Sequence, residues 1–248
     1  LLTYEQVKNL PEFAGILAED TVLIDIDDAE QAESMMDIVE DRDIDCKVFQ
    51  TTHGMHFYFI NDGSFPTCKT KVNLACGIRA DIKVGTANSY AILKYGNKER
   101  ECIWGYEEDA SVGAAPVFFR PAPTKRDFST LTSGSGRNQA LFNYILTLQS
   151  NGFSNDDARE AIRVLNDYVL PDPLDSDELE TILRDEAFRK PNFFKGKSFL
   201  HDKFAQYLKS NYHIKRINGT MYIYEDGVYR DGQKEIEAAM IKHISGLN

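Results

Sequence analysis

Two aspartates, Asp25 and Asp27, lie at the end of an apolar run and are separated by one residue. The run from Thr21 to Asp27 is rich in β-branched and apolar residues, which predicts a buried strand that ends in acids. Alternate strand residues point to the same face, so the two carboxylates would repel each other unless a cation lies between them. Hard oxygen ligands favour magnesium or manganese. Solvent-facing acids at a strand end are the commoner explanation of such a short motif.

A histidine lies on the second strand of the next predicted hairpin. The strands are Lys47 to Gln50 and Met55 to Ile60, joined by a turn at residues 51–54. His56 and Tyr58 would share one face. A histidine there can hold a phosphate or the attacking group, whereas a structural histidine is at least as frequent an explanation of a single residue.

A third set of charged residues alternates along the strand predicted from Ile78 to Val84. Arg79, Asp81 and Lys83 would share one face. Asp81 would complete a carboxylate set for two divalent ions, and the two bases would supply positive charge for a triphosphate. Taken alone, the set is an ordinary charged strand at a surface.

In this order and spacing, the three sets resemble the archaeo-eukaryotic primase superfamily, and within it the primase-polymerases of phages and plasmids. That family has an acidic pair after a hydrophobic strand, matched here by Asp25 and Asp27. It has a small-x-His motif, matched by Gly54 and His56, and a later acid, matched by Asp81. Gly54 stands in this motif in place of a serine.

The resemblance implies catalysis with two Mg²⁺ or Mn²⁺ ions on an open RRM-like sheet. The metal ligands, which are also catalytic, would be Asp25, Asp27 and Asp81. The residues that bind the incoming NTP or dNTP would be His56, which is also catalytic, with Tyr58, Arg79 and Lys83. No zinc is expected, because none of the four cysteines lies in a C-x-x-C pair.

The elements around these residues mix helices and strands. A helix is predicted from Ala29 to Arg42, because apolar residues recur there at helical spacing. Further strands are predicted from Tyr90 to Tyr95 and from Glu101 to Tyr106, and residues 1–20 are predicted as a short helical lead-in. The fold class is therefore α+β.

A shift in composition follows this region. Prolines from Pro116 onward and a Ser-Gly-Ser-Gly stretch at residues 133–136 predict a linker. Three short helices should follow, the second capped by Ser154. This all-α bundle resembles the helical primase C-terminal domain, in which Arg137 and Asn138 would contact the template or the initiating nucleotide.

Charge is unevenly distributed along the chain. Between Leu17 and Asp45 there are twelve acids and one base, whereas between Arg189 and Arg216 there are eight bases and one acid. This asymmetry predicts different partners for the two ends. Lys195 and Lys197, in the basic segment, would contact nucleic acid. From residue 193 the chain resembles the start of the region that precedes a superfamily 3 helicase, with a helix, a hairpin and a further helix.

The predicted organisation has three parts: a primase-polymerase catalytic domain at residues 1–125, a helical domain at 133–190 and the start of a pre-helicase α+β region at 193–248. The expected partners are a single-stranded DNA template, nucleoside triphosphates and a helicase domain of the same polypeptide beyond Asn248, through which the protein would oligomerise. No apolar run approaches the roughly 20 residues that a membrane span needs. The expected location is the cytoplasm of a bacterial host.

The implied function is DNA-templated primer synthesis and nucleotide polymerisation in phage or plasmid replication. An alternative is a catalytically weak primase-like module that binds single-stranded DNA and loads or regulates a downstream superfamily 3 helicase. An endonuclease replication initiator is disfavoured, because its chemistry needs two histidines that flank one apolar residue. His53 and His56 are separated by two residues and would fall on different faces.

Overall fold

The computed structural model describes residues 1–107, 110–134, 136–188, 194–195, 198–225 and 228–245. The chain forms two compact units, Leu1–Phe188 and Arg189–Asn248. Both contain helices and antiparallel sheets, which confirms the predicted α+β class. Within the described ranges, every helix is too short or too polar to span a bilayer.

The first unit opens with alternating strands and two helices. The helices are α1 (Tyr4–Val7) and α2 (Ala29–Asp41). The strands are β1 (Phe13–Ile16), β2 (Thr21–Ile26), β3 (Lys47–Gln50), β4 (Met55–Ile60), β5 (Lys69–Asn73), β6 (Arg79–Val84), β7 (Tyr90–Tyr95), β8 (Lys98–Glu99) and β9 (Cys102–Trp104). A six-stranded sheet has the order β5–β6–β2–β4–β3–β9, and a small sheet has the order β1–β7–β8. Neighbouring strands in both sheets are antiparallel.

The large sheet buries one face. Alternation along β2 sends Val22, Ile24 and Ile26 to that face, where each is at most 1% exposed. The apolar side of α2, which includes Met35, packs into the same core. Asp28 caps α2 by accepting a hydrogen bond from the backbone N–H of Gln31. The other face of β2 is therefore the one that can carry polar chemistry.

Three helices extend this core: α3 (Arg137–Ser150), α4 (Asn155–Tyr168) and α5 (Ser176–Ile182). The predicted cap of α4 is confirmed, because the Ser154 hydroxyl and the Asp157 carboxylate each accept a hydrogen bond from the other residue's backbone N–H. The segment predicted as a linker contributes two fully buried rings, Phe119 and Phe128, to the core. The regions predicted as separate catalytic and helical domains thus lie in one compact unit.

The described residues of the second unit form two small sheets and two helices. Its elements are β10 (Phe194–Lys195), β11 (Ser198–Phe199), α6 (His201–Tyr212), β12 (Lys215–Ile217), β13 (Thr220–Glu225), β14 (Val228–Asp231) and α7 (Gln233–Ser245). Phe204, Leu208 and Ala239 form its buried core. The helices and the hairpin predicted from the sequence are confirmed.

The sequence-based prediction missed three strands. The helical prediction for residues 1–20 is wrong at β1, which exists because its residues pair with β7. β5 was not predicted, and it forms along the edge of β6 with an irregular register. β12 was also missed, and it is held by its pairing with β13. Only β1 depends on a distant partner, because β5 and β12 each pair with the next strand in the chain, and β12 reaches β13 through the two-residue turn Asn218-Gly219, which is a local hairpin signal.

Candidate functional site

The register of the central strands places three of the predicted site residues side by side. Asp25 of β2 pairs directly with His56 of β4 on one side and with Asp81 of β6 on the other. Directly opposed residues of antiparallel strands share a face, with Cβ atoms about 4.5–5.5 Å apart. The three side chains therefore form a row across the sheet, on the face opposite the helical core.

One step along the strands, the same face is partly covered by the small sheet. Leu23 pairs with Tyr58 and with Lys83. It is fully buried beneath Leu17, which follows β1, and Ala91 of β7. The acidic row (Asp25, His56 and Asp81) thus lies beside an apolar patch, and this patch excludes water from one side of the row.

Asp25 is the centre of a polar network. Its Oδ2 accepts a hydrogen bond from Nζ of Lys83 at 2.6 Å. Its Oδ1 lies 3.2 Å from Nε2 of His56, and Nδ1 of His56 lies 3.5 Å from the Tyr58 hydroxyl. Asp25 and His56 are both buried, at 8% and 7% exposed. The network joins four predicted site residues through one carboxylate.

The network shifts the pKa values of Asp25 and Tyr58. Burial alone would raise the pKa of Asp25, but the close contact and charge of His56 and the hydrogen bond and charge of Lys83 outweigh burial and hold that pKa below its ordinary value. Asp25 is therefore ionised at neutral pH. Burial, followed by the charge of Asp25, raises the pKa of Tyr58, so its phenol stays protonated.

One oxygen of Asp25 is incompletely satisfied. Among the described residues, the buried Oδ1 has no hydrogen-bond partner, although Nε2 of His56 lies 3.2 Å away. The distance allows a charge contact, while the approach of the ring nitrogen does not meet hydrogen-bond geometry. A buried oxygen in this state is costly, and a bound cation would satisfy it. The donor type and burial of Asp25 therefore fit a divalent cation.

The three predicted metal ligands are not equally placed. β2 ends at Ile26, so Asp27 lies just beyond the strand and is exposed. Oδ1 of Asp81 accepts a hydrogen bond from the backbone N–H of Lys71 at 2.6 Å. Across the described ranges, no three His, Cys, Asp or Glu side chains converge as a group that could hold a metal ion. The adjacent carboxylates in this conformation are those of Asp25 and Asp81.

Gly54 lies in the turn that precedes β4, and its backbone packs directly against the end of β2. A Cβ atom at Gly54 would lie 1.9 Å from the backbone oxygen of Ile26, so a side chain has no room there. The backbone N–H of Gly54 also donates to the Thr51 hydroxyl at 3.0 Å. This close approach is the physical reason for glycine at this position. It also fixes the start of β4, and with it the position of His56 beside Asp25.

Two arginines border the network. Arg79 is exposed at the start of β6, and its Nε donates to the backbone oxygen of Lys71 at 3.3 Å. Arg100, which the sequence analysis missed, donates to the Thr52 hydroxyl at 3.1 Å. Its charge acts on Tyr58 in the direction that lowers the pKa of that phenol. Arg100 precedes β9, so only the pairing of β9 with β3 brings it to the histidine turn, and no local signal could reveal it.

An aromatic ring on the same face was also missed. Phe49 of β3 pairs directly with His56. Its ring meets that of Tyr58 edge to face, with centroids 5.5 Å apart. The polar network is thus flanked by half-buried aromatic surface, which suits contact with a nucleobase.

Arg137 occupies an internal position. It is 9% exposed, and its guanidinium donates to the backbone oxygens of Asp172 and Pro173. It also pairs with the Glu178 carboxylate at 3.2 Å. Asn138 is exposed and lies 3.4 Å from the same carboxylate. The side chain of Arg137 therefore fastens α3 to the start of α5, whereas Asn138 faces solvent.

The second unit contains the remaining predicted residues. The side chain of Lys195 and the whole of Lys197 lie outside the described residues. Phe204 and Leu208 of α6 are buried, and Tyr212 packs against them. These aromatic positions of α6 are therefore structural.

Comparison of the chain with known protein families, with curated proteins and with solved structures finds no match in any of the three. Family membership is therefore not shown.

Proposed function

We propose that the chain is a metal-dependent primase-polymerase that synthesises primers and extends nucleic acid on a single-stranded DNA template. One observation carries the proposal: Asp25, His56 and Asp81 form a row on three adjacent strands, on the face away from the core. An antiparallel sheet with helices on one face and this row on the other is compatible with an RRM-like catalytic sheet.

The carboxylates would hold Mg²⁺ or Mn²⁺. Asp25 and Asp81 are adjacent, and Asp27 would contribute from the end of the strand. Such ions, when bound, lower the pKa of an attacking 3′-hydroxyl and neutralise a leaving pyrophosphate. The buried Oδ1 of Asp25, which has no hydrogen-bond partner in the part of the chain that the structure describes, supports this fit. Because Asp25 is already ionised at neutral pH, no proton has to leave before a cation binds.

The chain's own cations would bind and orient the triphosphate. Lys83 is hydrogen-bonded to Asp25, and its side chain is about one-third exposed. Because Lys83 is already partly in solvent, its ammonium can turn toward a phosphate. Arg79 is exposed on the same strand face. His56 and Arg100 lie at the other side of Asp25, and the ring of Phe49 offers a surface for the base. Catalysis would then consist mainly of positioning and charge neutralisation.

The test is primer synthesis on single-stranded DNA with Mn²⁺ or Mg²⁺ and labelled NTPs or dNTPs. The wild type is compared with an Asp25→Asn/Asp27→Asn variant, which keeps the shape of both side chains. Asp37→Asn is the matched control, because Asp37 is an exposed carboxylate on the solvent side of α2. Metal-dependent products that vanish only in the double variant support the proposal. Equal products from all three proteins contradict the assigned site.

A second candidate is a weakly catalytic module that binds single-stranded DNA and loads a helicase. It is favoured by the Lys83 ammonium on Asp25 and by the lack, among the described residues, of a converged group of three metal-ligating side chains. A wild type that binds DNA but makes no product with either metal would favour it. In both cases the protein would act in the cytoplasm of a bacterial host.

A further inference from the structure

The two units carry opposite net charge. Residues 189–248 contain 11 Lys and Arg against 6 Asp and Glu, a net charge of +5. Because the whole chain carries −11, residues 1–188 carry −16, with 17 bases against 33 acids. The net charge of the second unit therefore attracts a polyanion, whereas that of the first unit repels one.

One face of the β12–β13–β14 sheet presents aromatic rings beside a lysine. Tyr224 pairs directly with Tyr229, and their ring centroids lie 5.1 Å apart. Nζ of Lys215 lies 4.7 Å from the centroid of the Tyr229 ring. Both tyrosines are 37% exposed, and Ile217 on the same face is 46% exposed.

The opposite face of this sheet is occupied by the unit's own chain. Ile223 of β13 points there by alternation, and it lies so close to Gly232 that an added Cβ would be 2.6 Å from its side chain. Gly232 leads directly into α7, which packs on β13. The tyrosine face is thus the accessible side of the sheet.

We propose that this tyrosine face (Lys215, Tyr224 and Tyr229) binds single-stranded DNA. Unpaired bases would stack on the two rings, and the Lys215 ammonium would contact a phosphate. Stacking on a ring requires an exposed base face, which duplex DNA does not offer. The positive charge of the unit complements the DNA backbone, and aromatic stacking tolerates any sequence. The inference does not depend on catalysis at Asp25, because it needs no residue of the first unit.

The test is fluorescence anisotropy of a labelled oligo(dT) strand with the full chain. Tyr224→Leu and Tyr229→Leu keep apolar bulk in the sheet but remove the flat ring. Each is expected to weaken binding by about tenfold, the loss of one stacked base. Lys215→Gln is expected to reduce the slope of log K against log salt by about 0.7. Tyr95→Leu, at an exposed tyrosine of the first unit, is the matched control and should bind like the wild type.

A second measurement uses the wild type alone, so it does not depend on the folding of a variant. Ultraviolet cross-linking to bromodeoxyuridine-substituted single strands should label peptides that contain Tyr224 or Tyr229. Wild-type-like affinity of both leucine variants, equal binding of duplex DNA, no binding by the wild type, or cross-links confined to other peptides would each overturn the proposal. Failure of primer synthesis leaves it standing, so the two proposals fail separately.

Discussion

Replacing Lys83 by methionine should destabilise the first unit by about 1–2 kcal/mol at pH 7. Nζ of Lys83 lies 2.6 Å from Oδ2 of Asp25, whose side chain is only 9% exposed. Removal of one partner from a fully buried pair costs roughly 3–5 kcal/mol, because the other charge is left without compensation. The effect is smaller here, since the Lys83 side chain is 33% exposed and His56 still faces the carboxylate.

Urea and thermal unfolding provide the assay. A loss of 1–2 kcal/mol in a unit of this size lowers Tm by about 2–8 °C. Lys98→Met is the matched control, because Lys98 is an exposed lysine of β8 and its replacement should leave the unfolding free energy nearly unchanged. A double-mutant cycle with Asp25→Asn should return a coupling free energy of about 1–2 kcal/mol. A coupling free energy near zero, or equal stability of the Lys83 and Lys98 variants, would refute the reasoning.

The same variant tests the cation preference of Asp25. In the wild type the ammonium competes with any divalent ion for this carboxylate. Mn²⁺ should therefore raise the Tm of Lys83→Met more than that of the wild type, because binding to the folded state alone stabilises it. An equal rise in both proteins would show that Lys83 does not occupy a cation position.

Three further changes follow from the same contacts. Folding lowers the pKa of Asp25, so the ionised carboxylate stabilises the folded state above the ordinary pKa of 3.8, and this stabilisation is lost as pH falls through the lowered value. In urea unfolding, the difference in unfolding free energy between wild type and Asp25→Asn should therefore shrink below about pH 4. A difference that stays constant with pH would contradict this. Gly54→Ser should cost about 3 kcal/mol of unfolding free energy, because its Cβ would collide with the Ile26 carbonyl, and unchanged stability would show that the turn can move. Arg137→Met should cost about 1–3 kcal/mol, because the carbonyls of Asp172 and Pro173 lose their donor and the carboxylates of Asp172 and Glu178 lose their ion pairs. Lost DNA binding at unchanged stability would instead support the predicted template contact.

Local physics made much of the fold predictable. The run at β2 is apolar and β-branched, and α2 and α4 show helical spacing with polar caps, so each element follows from residues within one or two turns. Strand alternation placed His56 with Tyr58, and Arg79 with Asp81 and Lys83. These predictions hold because side-chain direction in a strand depends only on sequence parity.

The site's internal pairing could not be predicted in the same way. The sequence predicts that Asp25 binds metal and that Lys83 binds the triphosphate, yet the two side chains are hydrogen-bonded to each other. That contact depends on the register between β2 and β6, because a shift of one residue would put the two side chains on opposite faces of the sheet. Arg100 and Lys71 reach the site for the same reason, through the positions of β9 and β5. Register is a property of the assembled sheet, so these contacts carry no local signature.

The first unit has a net charge of −16, which by itself opposes the binding of a nucleotide. At physiological ionic strength, charges more than about 8 Å away are largely screened, so the balance within the site decides. There, the carboxylates of Asp25 and Asp81 face the cations of Lys83 and Arg79, and the balance is close to neutral. A triphosphate should therefore bind weakly until a divalent ion adds positive charge, whereas a DNA strand on the tyrosine face needs no metal.

Removal of divalent ions should then separate the two binding activities. EDTA is expected to abolish binding of a fluorescent nucleotide analogue and to leave oligo(dT) anisotropy unchanged. Restoration by Mn²⁺, with Asp25→Asn unresponsive, would place the ion at the acidic row. Loss of both activities in EDTA would mean that nucleotide and DNA depend on one metal-requiring site, and the division of roles between the two units would be wrong.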